Sequence, residues 1–114
     1  VLLALLVLFC LVAVGGITLA LLEHRGRALP LPMSASHGAV GIVLIVLLVM
    51  HDLEMPGNRL VNSATVVFML AATGGLLLFS FRAARQKLPL LVVLLHGAFA
   101  LVAVGLLLAG YLGA

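Results

Sequence analysis

The stretch LPLPMSASHGAVG at residues 29–41 returns, without a gap, as LPLLVVLLHGAFA at residues 88–100. Leu29-Pro30-Leu31 falls on Leu88-Pro89-Leu90 and His37-Gly38-Ala39 on His96-Gly97-Ala98, each 59 positions later. Upstream, Gly15-Gly16 falls on Gly74-Gly75 at the same offset. Val7/Val66, Phe9/Phe68, Leu11/Leu70, Leu47/Leu106 and Leu48/Leu107 extend the register across residues 1–55 and 60–114. Matches of Leu and Val carry little weight in so apolar a chain, whereas the Pro and His-Gly-Ala matches carry a good deal. A repeat sets the same residue at two related points, and here those points hold histidines.

Composition fixes the class around that repeat. Of 114 residues, 66% are hydrophobic and 8% charged, and the mean hydropathy is +1.45. Those values lie outside the range of soluble domains. Val1–Leu22 and Val61–Phe81 carry no charge, and Leu88–Ala114 carries none but His96. Pro30–Leu53 holds His37, with His51 and Asp52 at its far end. Runs of about 20 apolar residues match a hydrocarbon core of about 30 Å. The expected fold is all-α: a polytopic membrane protein of four transmembrane helices, built as two helical hairpins, 1–55 and 60–114, in one membrane domain. The first run lacks a basic leader and a small-residue cleavage site, and it has a repeat partner, so it reads as a permanent helix. Because the chain opens on Val1 inside an apolar run, a few native residues are expected to precede it.

Charge predicts orientation. Arg25 and Arg27 lie in the first loop, and Arg82, Arg85 and Lys87 in the third, while the second sets Arg59 against Asp52 and Glu54. The positive-inside rule then puts loops 23–29 and 82–87 in the cytoplasm and both termini outside, in a bacterial-type inner membrane. The sequence pI near 10.0 reflects this bias at the headgroups, and no nucleic-acid partner is expected. A repeat unit of two helices enters the membrane from the same side each time, which gives parallel repeats about a pseudo-two-fold along the membrane normal. The second and fourth helices then run the same way, and His37 and His96 lie at one depth.

Each His follows its Leu-Pro by seven residues. Proline suits a helix's first turn, so each His is expected two turns in, about 10 Å along the axis. Pro32, Ser34 and Ser36 leave room for a delayed start of the second helix and a shallower His37. An ionisable residue in a membrane needs a partner and is a functional hypothesis by default. Two neutral imidazoles on facing helices suit the axial positions of one b-type haem iron. Gly38, Gly97, Gly41 and Ala100 on the same faces would leave space for a flat macrocycle. A second reading stays open, in which each His hydrogen-bonds a carbonyl or hydroxyl of a neighbouring helix. Gly15-Gly16 and Gly74-Gly75 are assigned to close helix packing.

Other chemistries find less. His24 aligns with Ala83, as an interfacial loop residue, and His51 with Gly110, so paired histidines allow one haem at most. Two His alone do not make a structural zinc site. Met50, His51 and Met55 could meet copper, although methionine is commonly apolar filler. Cys10 reads as an inert small hydrophobe. Four helices in so short a chain resembles the small multidrug resistance transporters in size, but those rely on a membrane Glu in the first helix, and Val1–Leu22 has none. In two His-Gly-Ala triplets and a topology, the chain resembles four-helix haem b modules and haem-bearing membrane anchors of respiratory enzymes. That likeness implies a small electron-transfer subunit, linked to quinone or placed within a respiratory-type complex. The alternative is a non-catalytic accessory or assembly subunit without a cofactor. Either one has the lipid bilayer and other membrane subunits, or copies of itself, as partners, and neither is an enzyme by itself.

Overall fold

A computed structural model describes residues 1–27 and 29–113. Ala28 of the first loop and Ala114 at the end of the last apolar run lie outside the described residues. The chain forms four helices: α1 (Leu2–His24), α2 (Leu31–Glu54), α3 (Arg59–Ala83) and α4 (Leu90–Tyr111). All four are long and apolar enough to cross a membrane, with segment hydropathies of 2.0 to 2.8. They pack into a bundle of 43 × 20 × 19 Å.

The helix starts follow the prolines. Pro30 and Pro89 both stand at N-cap positions in extended conformation, with ψ of 136° and 122°. Pro32 sits inside the first turn of α2, where its missing N–H has no intrahelical role. The Ser36 hydroxyl donates back to the Pro32 carbonyl at 2.7 Å, so the serines do not unwind the turn. The delayed start is therefore not seen, and His37 and His96 each occupy the seventh position of their helix.

The ends of α1 and α3 also correspond. Gly26 and Arg85, 59 residues apart, take left-handed φ values of 72° and 55°. After each, an N–H closes the helix end: Arg27 to the Leu22 carbonyl at 3.1 Å, Gln86 to the Phe81 carbonyl at 2.9 Å. These are Schellman turns, which satisfy carbonyls the helix leaves free. Pro56-Gly57-Asn58 carries turn signals that predict an exposed connection over Asp52–Leu60, and the α2–α3 connection is shorter than that. Glu54 still belongs to α2 and Arg59 already to α3, because Pro56 stops one helix and Asn58 caps the next, its side chain accepting from the Val61 N–H at 3.2 Å. Asp52 is thus helical and half-buried. Its Oδ2 accepts from the Thr65 hydroxyl at 2.5 Å, and its buried Oδ1 has no partner among the described residues.

The helices form a ring in which α1 lies opposite α3 and α2 opposite α4. The packed core occupies the half nearer the α2–α3 connection. Its buried residues correspond across the two hairpins: Leu5 with Ala64, Phe9 with Phe68, Leu44 with Ala103, Leu48 with Leu107. Phe9 and Phe68 meet in the centre, their rings stacked at 3.9 Å and 15°. Placed in lipid, such a core would hold by close packing rather than by escape from water. The hairpins are not alike in tightness, since α3 and α4 lie closest together. Gly110 permits this: a Cβ there would stand 2.6 Å from Val61 Cγ2. The corresponding residue of the first hairpin is His51, too bulky for such an approach.

Candidate functional site

The half of the bundle toward the first and third loops is hollow. A cavity of about 290 Å³ lies among the four helices, and His37 and His96 stand in its wall. Apart from Ala35 and Leu88, every lining residue has its counterpart 59 positions away in the wall too. Residues spaced by seven, close to two helical turns, mark three levels on α1 and α3. Phe9, Gly16 and Glu23 do so on α1, and Phe68, Gly75 and Arg82 on α3. The phenylalanine stack closes the cavity toward the packed core. The glycines hold the histidine level.

Gly-Gly in α1 and α3 has a use beyond the one expected. Each pair makes a notch for the histidine of the next helix, and in the second pair Gly74 also lets α3 approach the α4 backbone, where a Cβ would stand 3.8 Å from the His96 Cα. A Cβ on Gly16 would come within 2.9 Å of His37 Cε1, and one on Gly75 within 3.0 Å of His96 Cε1. The two rings face each other across the bundle, centroids 6.4 Å apart and planes at 85°. His96 Nδ1 lies 2.7 Å from the Ala71 carbonyl of α3. A carbonyl only accepts, so in the neutral ring Nδ1 carries the proton and Nε2 keeps its lone pair. His37 makes no such bond among the described residues.

The small residues expected to flank the histidines do line the cavity: Gly38, Gly41, Gly97 and Ala100. The three glycines are not packing contacts. A Cβ on Gly38, Gly41 or Gly97 would meet no heavy atom within 4 Å among the described residues. Cavity walls also reach the outer surface, where Ile17 and Ile42 are 49% and 43% exposed and their counterparts Leu76 and Leu101 are 59% and 55% exposed.

One feature of the site escaped the sequence reading. Glu23 of α1 and Arg82 of α3 both line the cavity and form an ion pair, Arg82 Nη2 donating to Glu23 Oε2 at 2.5 Å. Their spacing is again 59. Opposite charges at matched positions were the available signal, hidden because both residues were counted with the loops. His24 is exposed at the end of α1, and His51 lies in the last turn of α2. Met50 and Met55 are exposed, at 51% and 64%. Among the described residues no group of three or more His, Cys, Asp or Glu side chains is placed to hold a metal ion. No protein-family model matches the chain, and no curated protein or solved structure is similar to it.

Proposed function

We propose that this chain is a small membrane electron-transfer module that would hold one b-type haem between two parallel hairpin repeats, 1–55 and 60–114, with His37 and His96 as the residues that would bind its iron. The observation that carries this reading is the histidine pair in a cavity whose wall includes Gly38, Gly41 and Gly97, three glycines that no packing contact requires. The two imidazoles stand close enough, with centroids 6.4 Å apart, that both could serve as nitrogen ligands to the iron of one haem. The Ala71 carbonyl fixes the His96 tautomer that leaves Nε2 free, as outer-shell partners of metal-binding histidines do. A macrocycle is larger than the 290 Å³ cavity, so the helices would have to part to admit it. Bound there, haem iron supplies one-electron redox chemistry.

The repeat relation is part of the proposal. Phe9/Phe68, His37/His96 and Glu23/Arg82 meet across the bundle at one offset. Self-matched contacts at three successive levels favour a pseudo-two-fold running along the helices, hence along the membrane normal. The basic end would face the cytoplasm, with both termini outside. Electrons would pass to quinone or to a neighbouring membrane subunit.

The accessory-subunit reading is favoured by one observation: the His96–Ala71 bond satisfies a ring nitrogen with no cofactor. The absorption spectrum separates the two. Purified in detergent after expression with ample haem supply, the chain should show a Soret band that His37→Ala or His96→Ala removes. A folded, colourless protein that co-purifies with other membrane subunits would favour the accessory role instead.

A further inference from the structure

Arg82 is unlike the other basic residues. Arg25, Arg27, Arg59, Arg85 and Lys87 are all exposed, as topology determinants should be, whereas Arg82 is drawn into the cavity wall with its side chain 16% exposed. It lies seven residues beyond Gly75, which touches His96, so it stands about 10 Å from the histidine level toward the loop end. Glu23 engages it through a single bond to Nη2. A guanidinium carries five donors, so the single bond to Glu23 leaves donors for a second acceptor.

We infer that Arg82 is the carboxylate-binding end of this cavity, with Glu23 as the residue that positions it, so the site takes a ligand with an apolar body and carboxylate arms directed toward the loop end. The inference rests on the haem reading, since haem b is such a molecule: a flat apolar ring with two propionates on one edge. Three levels of the bundle then sort the ligand's parts. The Phe9–Phe68 stack presents only apolar surface to the edge without carboxylates. The histidines take the centre. Arg82, half-buried in the cavity wall, meets the arms through charge-assisted hydrogen bonds.

The test titrates the purified full-length chain in detergent with haemin and with haemin dimethyl ester, in which both carboxylates are masked, followed by absorbance. Wild type should prefer haemin by about tenfold, and Arg82→Gln should remove that preference by weakening haemin binding while leaving the ester unchanged. Glu23→Gln frees the guanidinium and should retain or strengthen haemin binding. Should Arg82→Gln fail to fold, the exchange Glu23→Arg with Arg82→Glu keeps an ion pair, moves the guanidinium to the matched position on α1, and should keep the preference. Equal binding of haemin and ester by wild type, equal weakening of both by Arg82→Gln, or loss of the preference in a folded exchange variant would overturn the inference while leaving haem binding intact. Binding of neither compound would overturn the haem reading and this inference with it.

Discussion

A methyl group at Gly75 would stand 3.0 Å from His96 Cε1, and one at Gly16 2.9 Å from His37 Cε1, while Gly38 and Gly97 have open space beside them. Glycines that line one cavity therefore answer to different demands. Gly16→Ala and Gly75→Ala should displace the rings, and Gly75→Ala should break the Nδ1 contact to Ala71. Overpacking of this kind costs about 1–3 kcal/mol. Gly38→Ala and Gly97→Ala should be nearly neutral for folding. Denaturation in mixed micelles, read with the intensity of any haem band, distinguishes the sets, and equal effects in both would refute the notch. The matched histidines were legible in the sequence because His is rare in an apolar run. What they rest on was not, since a glycine pair marks close approach without saying what approaches.

Helix ends supply the next pair of tests. Gly26 and Arg85 adopt the same left-handed turn, but only glycine does so without strain from its own side chain. Arg85→Gly should therefore stabilise α3 by about 1 kcal/mol, seen as a higher midpoint of thermal unfolding in detergent. No gain would mean that the Arg85 side chain offsets the strain. At the other end of the bundle, Gly110→Ala drives a Cβ toward Val61 Cγ2 and to 3.1 Å from the Val61 backbone nitrogen. Backbone yields less than a side chain, so a loss of about 1–3 kcal/mol is expected, with the bond from Asn58 Nδ2 to the Gly110 carbonyl weakened alongside. Helix existence and the proline starts could be read from sequence, because they depend on local chemistry. The reach of α2 to Glu54 could not, because Asp52 is held by Thr65, thirteen residues away.

Across the whole molecule, one half is packed and the other hollow, although both halves come from the same repeated hydrophobic pattern. Mean composition could not announce this division. It arises from which apolar residues are large at the bundle centre: Phe9, Leu48, Phe68 and Leu107 fill one half, and glycines line the other. The charge pattern, by contrast, speaks directly to orientation. Arg25, Arg27, Arg82, Arg85 and Lys87 gather at the hollow end, where α1 and α3 finish, while Arg59 at the packed end is opposed by Asp52 and Glu54. A bias of this size in short loops should hold a single topology. With Cys10 replaced by alanine, a cysteine at Gln86 should react with a membrane-impermeant maleimide only after the cytoplasmic face is opened. One at Met55, which is 64% exposed, should react in intact spheroplasts. The hollow end would then open toward the cytoplasm, the side from which a carboxylate-bearing ligand could reach Arg82. Labelling of both sites in intact spheroplasts would mean dual insertion, and the reverse pattern would turn the cavity mouth outward.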